Sequence, residues 1–256
     1  MHQITIKAIN GYEMDLSGGA CADFTGLGEA CWQFPEMIGT GIFKQIEFRP
    51  GFYLFITDYQ VKQHCVWNIT CNRPGFGFGF CVSGQMQSRA MGMDRSVTIC
   101  RGQCPLLYFP CQSGTGADAK NTRRISISII IEPKVFNALV GDDCEHFPSA
   151  FRSIVDGAKE YCYYQPGDIT PEILATIESV LSCPHTGPTR RLFLESRTLE
   201  LIAYRLQQIE GRSHTPSDVG GITLADIEKI HQAASLLAED IQNPPTLFDL
   251  ARSVGM

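Results

Sequence analysis

Short apolar runs, separated by Gly, Pro, Asn and Ser, dominate the first half of the chain. Residues 42–48 and 52–57 flank Arg49-Pro50-Gly51, whose proline and glycine are turn formers, so a β-hairpin is predicted here. The same pattern predicts further strands at residues 65–70, 76–82, 97–100, 106–109 and 125–131. Short strands at this spacing are typical of a closed sandwich or barrel.

Glycine and phenylalanine alternate strictly over residues 75–80. Because successive side chains of a strand point to opposite faces, the phenylalanines share one face and the glycines the other. Two interpretations stay open: a wall whose phenylalanines lie in the core, or a ligand-binding wall lined by phenylalanine. Both hold together if the interior of the barrel is the binding pocket.

Helical periodicity replaces the strand pattern after residue 132. A short helix is predicted at 133–140, and a second opens at Thr170-Pro171 and ends at Cys183-Pro184. The next helix, about 189–209, carries apolar residues at near-heptad spacing: Leu192, Leu199, Ile202, Leu206 and Ile209. It also has a second apolar line, so one face is predicted to pack on the barrel and the other on a second protomer. A helix buried within one domain is the alternative.

Residues 211–221 are polar and rich in turn formers, which is typical of a linker. A capping-box spacing at Thr223 then opens a predicted helix that ends at Asn243-Pro244-Pro245. A second capping box at Thr246 opens a helix with the small Ala251 on its inner face and Gly255 at the following turn. Close packing of this kind is typical of the first helix of a helix-turn-helix.

This C-terminal order of linker, long helix, Pro-Pro break and Leu-Ala-x-x-Val-Gly-Met at residues 250–256 resembles AraC-type transcription regulators. Residues 191–203 are similar to the helix that precedes the DNA-binding part in the pyochelin-regulator-like branch, and residues 49–52 and 80–84 resemble its sensor strands. The resemblance extends from about residue 41 onward. It implies an α+β chain with an N-terminal cupin-like β-barrel sensor, a helical dimerisation segment and the start of an all-α helix-turn-helix domain.

On this interpretation residues 1–210 form the effector-binding and dimerisation domain, 211–221 the linker, and 222–256 an incomplete DNA-binding domain that stops within its first helix-turn-helix. Aromatic walls bury flat organic ligands effectively, so the predicted effector-binding residues are Tyr53, Trp67, Phe78, Phe80 and Tyr108. The predicted supporting residues of the DNA-binding unit are Thr246, Leu250, Ala251 and Gly255.

The partners implied are a small-molecule effector, with a siderophore-like compound as one candidate, and operator DNA in the full-length protein. A second copy of the chain is expected in a homodimer, and RNA polymerase is a further candidate partner. No cofactor is expected. Effector binding is predicted to bias how a dimer presents its DNA-binding units.

Charge and hydropathy agree with a sensor region. The net charge is −6, from 21 Lys and Arg against 27 Asp and Glu, so no global positive field attracts a polyanion. No apolar run approaches the length of a membrane span, and the first residues lack the layout of a secretory signal. A cytoplasmic protein without a membrane partner is predicted.

Two other functional classes are alternatives to the regulator. A cupin-type metalloenzyme needs two histidines one residue apart with a carboxylate downstream, whereas His64 stands alone, so neither a metal nor enzymatic activity is expected. A thiol-based redox sensor needs a cysteine of low pKa, for which Cys100, beside Arg101, and Cys104 are the candidates. Most of the eleven cysteines are interpreted as reduced core residues.

Overall fold

The strands of the chain assemble into two antiparallel sheets. The computed structural model describes residues 3–8, 13–15, 28–34, 36–70, 74–90, 96–110, 114–141, 145, 147–155, 162–213, 233, 236 and 245–255. The chain divides into two compact units, Met1–Ser213 and His214–Met256. The described strands all lie in the first unit.

Both sheets pair strands that are distant in the chain as well as consecutive ones. The strands are β1 (Gln3–Ala8), β2 (Glu13–Asp15), β3 (Glu29–Gln33), β4 (Gly39–Arg49), β5 (Phe52–Val61), β6 (Cys65–Thr70), β7 (Gly75–Ser83), β8 (Gln85–Ala90), β9 (Val97–Cys100), β10 (Leu106–Phe109), β11 (Gly114–Asp118), β12 (Arg123–Ile131) and β13 (Tyr163–Gln165). One sheet has six strands in the order β2-β1-β6-β11-β8-β9, and the other has seven in the order β13-β10-β7-β12-β5-β4-β3.

The predicted hairpin around residues 49–51 is confirmed, because β4 and β5 pair antiparallel with Arg49 opposite Phe52. Gly51 has a φ of +84°, a left-handed conformation that glycine adopts at little steric cost in a tight turn. The strands predicted at 65–70, 97–100 and 106–109 coincide with β6, β9 and β10, and those at 76–82 and 125–131 lie within β7 and β12.

Four helices follow in the first unit: α1 (Pro133–Val140), α2 (Ser149–Val155), α3 (Pro171–Leu181) and α4 (Gly187–Ser213). Proline occupies the first turn of α1 and α3, where its missing N–H removes no intrahelical bond. Thr170 caps α3, since its Oγ1 accepts a hydrogen bond of 3.4 Å from the N–H of Ile173. The predicted helices at 133–140 and after Thr170 are confirmed, and the one at 189–209 is longer at both ends.

The main hydrophobic core lies between one face of the seven-stranded sheet and the helices. Every second residue of β7 and β12 contributes to it, and the helices supply the opposing side chains. Its fully buried members include Phe76, Phe78, Phe80, Ile127, Ile129, Ile131, Phe136, Phe151, Ile173, Ile177, Leu194 and Leu201. The opposite face of the same sheet lies toward the six-stranded sheet.

The expectation of a closed barrel is corrected by the sheet topology. In the described part of the chain neither sheet closes on itself: β2 and β9 form the edges of one sheet, and β13 and β3 form the edges of the other. The seven-stranded sheet packs on both of its faces because the helices cover the outer one. Two open sheets and a helical layer thus replace the barrel wall.

The second unit is described mainly by α5 (Leu247–Ser253). Thr246 caps this helix through the reciprocal bonds of a capping box: its Oγ1 accepts from the Asp249 N–H at 3.2 Å and donates to the Asp249 carboxylate at 2.6 Å. Leu250 is buried, Ala251 is half-buried, and Gly255 follows with a φ of +71°. The helix predicted between Thr223 and Asn243 lies almost wholly outside the described residues.

None of the described helices has the length and apolarity that crossing a bilayer requires.

Candidate functional site

A cavity of about 220 Å³ lies between the two sheets of the first unit. The seven-stranded sheet contributes side chains from β4, β5, β7, β10 and β12, and the six-stranded sheet contributes side chains from β6, β8, β9 and β11. Most of the lining is apolar or small. It includes the aromatic residues Phe43, Phe55, Trp67 and Phe109 and the aliphatic residues Leu107, Ile99 and Ile130.

Strand alternation opens this space. On β7 the phenylalanines enter the helical core, while Gly77 and Gly79 line the cavity. A Cβ at Gly77 would lie 3.3 Å from Phe109, so glycine here removes bulk in front of that ring. On β12 the isoleucines at 127, 129 and 131 are buried in the core, and the small hydroxyl residues Ser126 and Ser128 line the cavity.

One end of the cavity is aromatic. Phe43, Phe55 and Trp67 belong to a second cluster of buried residues, which also contains Phe34 and Tyr59. The rings of Phe34 and Tyr59 stack with centroids 4.6 Å apart, and Trp67 lies 5.1 Å from Tyr59. Such ring pairs hold each other in fixed orientations, which preforms this wall.

A buried group of polar side chains stands beside the aromatic wall. Asp118 is fully buried, and its Oδ2 accepts hydrogen bonds from the Tyr59 hydroxyl at 2.6 Å and from the Trp67 Nε1 at 2.5 Å. Arg124 faces the same carboxylate, with its Nη1 lying 3.5 Å from the Asp118 Oδ1. Burial raises the pKa of Tyr59 well above its ordinary value. The phenol therefore stays protonated and donates a hydrogen bond to Asp118.

Arg124 is the charged group of this cluster that lines the cavity. Its side chain is 8% exposed, and its Cζ lies 4.8 Å from the ring centroid of Tyr59 and 5.4 Å from that of Trp67. Its Nη1 also donates to the Met86 sulfur. Its Nε and the Asp118 Oδ1 have no hydrogen-bond partner among the described residues. The cavity wall therefore carries a buried guanidinium with unused donor capacity.

The predicted aromatic residues divide between two faces of the sheet. Trp67 lines the cavity, and Phe78 is also a lining residue although its fully buried side chain belongs to the helical core; Tyr53, Phe80 and Tyr108 are not among the lining residues. Phe80 and Tyr108 lie in the helical core, because alternation along their strands turns Gly79, Leu107 and Phe109 toward the cavity instead. Tyr53 is half-buried beside the aromatic cluster, and its hydroxyl accepts from the Gly51 N–H at 3.5 Å.

Sequence reasoning missed Arg124 and the two serines of β12. The alternation of polar and isoleucine side chains from Arg124 to Ile129 indicates a strand with one polar and one apolar face, but it does not tell whether the polar face meets solvent or a cavity.

The comparison with known families decides the identity of the domain. Residues 38–222 match the family described as the regulatory protein PchR N-terminal domain. This span contains all four helices of the first unit and every described strand except β1, β2 and β3. The chain belongs to the PchR N-terminal domain family.

A curated relative and several solved structures are also similar to this PchR-family chain. The regulatory protein PchR of Pseudomonas aeruginosa is 39% identical over 82 residues, which cover 32% of this chain and 27% of the relative. The match therefore spans about a quarter of that relative's length.

Among solved structures, an apo variant of ToxT from Vibrio cholerae has a TM-score of 0.43 and 14% identity, covering 80% of this chain and 71% of its own. The AraC-like transcriptional activator CuxR has a TM-score of 0.37 and 10% identity, covering 91% and 78%. An oxalate decarboxylase variant from Bacillus subtilis has a TM-score of 0.28 and 12% identity, covering 57% and 42%. These structural likenesses are weak and add no argument to the family match.

In this PchR-family domain, α4 is bound to the strands at both ends. Near its start, Arg190 pairs with Glu29 at 3.1 Å, and Arg191 donates to the carbonyl of Glu47 at 3.2 Å. Further along, the fully buried Arg205 donates from Nε to the Cys104 carbonyl at 2.6 Å and from Nη2 to the carbonyls of Gln165 and Pro166 at 2.8 and 2.9 Å. Cys104 lies two residues before β10, whose side chains line the cavity.

The five apolar residues assigned to a dimer interface lie on different faces of α4. Ile202 and Ile209 are buried in the core of the subunit itself, so they are not on a surface open to a second copy. Leu192 is 68% exposed, and Leu199 and Leu206 are half-buried at the edge of the core. The helix therefore has one apolar face inside the subunit and a narrower line of leucines at its margin.

The geometry also bears on the two other functional classes. Among the described residues, no three His, Cys, Asp or Glu side chains come close enough to hold a metal ion. Burial raises the pKa of the Cys100 thiol, which is the opposite of what a reactive thiolate needs. Cys104 is fully buried, with its sulfur 3.7 Å from the Gln208 Oε1.

Proposed function

We propose that this chain is the sensing part of a transcription regulator that binds a small aromatic effector in the cavity between its sheets. The observation that carries the proposal is the cavity itself: aromatic and small residues of both sheets enclose about 220 Å³, with a few buried polar groups on one side. Cavities of this composition are typical of small-molecule sites. A siderophore-like compound, which the sequence resemblance implies, is the alternative to a smaller aromatic effector.

The route by which an effector acts on the regulator is proposed to run through α4. Its Arg205 contacts the segment leading into β10, and its Arg190 and Arg191 contact β3 and β4. Ligand contact with Leu107, Phe109 or Phe43 moves strands that hold this helix. Because α4 is the last described element before the second unit in the chain, it is placed to carry the response onward.

The remaining partners belong to the whole regulator. We propose that it acts as a homodimer on operator DNA, that α5 supports a DNA-reading element, and that its output reaches RNA polymerase. Thr246, Leu250, Ala251 and Gly255 would serve to fix the fold of α5 and its turn, since capping, burial and a left-handed glycine are structural properties. No enzymatic step is proposed, and a cytoplasmic location stays a prediction.

The test replaces a small residue of the cavity lining with a larger, uncharged one. Ser128 on β12 lines the cavity, so the larger side chain of a Ser128→Leu variant should occupy part of the cavity. A panel of one- and two-ring aromatic compounds, both neutral and anionic, is titrated while the fluorescence of Trp67 is followed, because this tryptophan lines the cavity. We expect saturable changes in the wild-type protein and their loss in Ser128→Leu.

Thr98→Leu is the matched control, because Thr98 is exposed on β9 and is not among the lining residues. It should bind like the wild type. Binding that survives in Ser128→Leu, or a wild-type protein that binds no member of the panel, would overturn the cavity as the sensing site.

A further inference from the structure

We propose that the cavity selects an anionic effector, a single-ring aromatic carboxylate, and that Arg124 is the residue that binds its carboxylate. This inference rests on the proposed sensing function and names the chemistry of its ligand.

The size of the cavity sets the size of the ligand. An apolar protein cavity of roughly 150 Å³ holds benzene. The cavity here is about 220 Å³, which leaves room for one ring with a short acidic side chain. Phe43, Phe55 and Phe109 offer ring faces and edges to that aromatic group.

The incomplete bonding of Arg124 indicates the charge of the ligand. A guanidinium has five N–H donors, and a buried polar group is ordinarily hydrogen-bonded. The Arg124 side chain is 8% exposed, yet its Nε lacks a hydrogen-bond partner among the described residues, and its approach to the Asp118 Oδ1 is 3.5 Å. A ligand carboxylate supplies two acceptors in the planar geometry that a guanidinium fork matches.

Asp118 meets this demand only in part, because its Oδ1 lies 3.5 Å from the Arg124 Nη1 and leaves the Arg124 Nε without a hydrogen-bond partner among the described residues. Its Oδ2 accepts the two short hydrogen bonds from Tyr59 and Trp67. The other charged side chain of the lining is a second cation, Arg89, and the described lining residues include no carboxylate. The charged side chains that line the cavity are thus both cations, and the buried one, Arg124, retains an unpartnered donor, which favours an anion over a neutral or cationic compound of the same shape.

The contrary interpretation is that Arg124 and Asp118 form a purely structural pair, fixed by the rings of Tyr59 and Trp67. Buried ion pairs are common for that reason alone. The two interpretations differ in one measurable respect, since a structural pair gives no preference between an acid and its uncharged isostere.

The experiment compares 3-phenylpropionate with 3-phenylpropanamide, two single-ring probes that differ in charge at one end. Isothermal titration calorimetry on the full chain at neutral pH gives the dissociation constant of each. We expect the acid to bind at least tenfold more tightly than the amide, as for a charge-assisted hydrogen bond in a buried site. In Arg124→Gln the acid should lose that advantage, while the affinity for the amide stays within twofold.

Arg123→Gln is the matched control. Arg123 is adjacent in sequence and forms a bidentate pair with Asp58, but strand alternation places it on the exposed face. It should leave both affinities unchanged. If Arg124→Gln unfolds because Asp118 is left unpaired, the double variant Asp118→Asn/Arg124→Gln restores a neutral pair and carries the same expectation.

The outcomes separate this inference from the proposed function. Equal binding of acid and amide to the wild-type protein, or a preference for the acid that survives in Arg124→Gln, would overturn the role of Arg124 and leave the sensing cavity in place. Failure of both probes to bind would overturn the single-ring carboxylate. If the two-ring compounds of the wider panel then also fail, the proposed function falls with it.

Discussion

Two consecutive arginines show how the environment of a residue decides what its charge contributes. Arg123 and Asp58 form two hydrogen bonds of 3.1 Å, but both side chains are largely exposed, so the pair stabilises the fold by about 0–1 kcal/mol. Arg124 meets Asp118 at 3.5 Å in a buried site, where removing one partner typically costs about 3–5 kcal/mol. The shorter pair is therefore the weaker contributor, and the buried one is suited to recognition.

The buried thiols predict a loss of stability at alkaline pH. Burial raises the pKa of Cys65 and of Cys81 from 9.0 to about 11. Since these pKa values are higher in the folded state, the stabilisation is fully present below pH 9 and is lost as the pH rises toward 11. Urea unfolding under reducing conditions should show a free energy of unfolding that falls over this interval.

The free energy of unfolding between pH 7 and 8 is the reference for this decline. Between pH 7 and 8 both thiols are protonated in either state, so they add no slope there. The variants Cys65→Ala and Cys81→Ala should each flatten the decline between pH 9 and 11. An identical decline in the double variant would show that other groups cause it.

At the scale of elements, the sequence pattern predicted the strands whose residues have high intrinsic β-propensity. The strands β5, β7 and β12 are rich in aromatic and β-branched residues, and proline marks the starts of α1 and α3. The pattern missed six of the described strands, among them β8, whose residues are Gln-Met-Gln-Ser-Arg-Ala, and β11, whose residues are Gly-Thr-Gly-Ala-Asp. In the structure β11 pairs with β6 and β8, and β8 pairs with β11 and β9, a tertiary effect that local propensity does not contain.

The candidate site was predictable only in part for the same reason. The Gly and Phe alternation left open whether the phenylalanines face the core or a ligand, and in the structure they lie in the helical core while Gly77 and Gly79 line the cavity. The face that each remaining aromatic residue occupies depends on strand register, which a one-residue shift inverts. Phe80 and Tyr108 fall on the helical side, and Arg124 meets Asp118 only because β11 and β12 belong to opposing sheets.

The attachment of α4 gives a second prediction. Arg205 is fully buried and donates to three backbone carbonyls, and Gly167 packs directly against its guanidinium. Arg205→Met removes these bonds and leaves the carbonyls without a charged donor, so we expect the free energy of unfolding to fall by about 3 kcal/mol. Urea unfolding measures the change.

Gln207→Ala is the control on the same helix, because Gln207 is exposed and its replacement should change stability by less than about 0.5 kcal/mol. Arg205 does not line the cavity, so the folded Arg205→Met protein should still bind its ligand. A stability equal to that of Gln207→Ala would show that these carbonyl contacts contribute little.

At the scale of the whole molecule, α4 joins the strands around the cavity to the main hydrophobic core of the first unit. The arginines of α4 reach the strands on which the cavity is built, and its core face joins the largest hydrophobic cluster. Displacing these strands without displacing α4 would break several buried contacts at once. A packed arrangement of this kind favours movement of the helix as a unit over local deformation.

The oligomeric state is the last prediction. Leu192, Leu199 and Leu206 are spaced by seven residues on α4 and form a line along its margin, with Leu192 68% exposed. If a second copy covers this line, Leu192→Asp places a carboxylate in an apolar seam and should turn dimers into monomers in multi-angle light scattering. Leu139→Asp, at a position on α1 that is 39% exposed, is the matched control and should remain dimeric. Ile202→Asp should unfold the subunit instead, because Ile202 lies in its core. A wild-type chain that is monomeric at every concentration tested, or a Leu192→Asp variant that stays dimeric, would refute an interface along this helix.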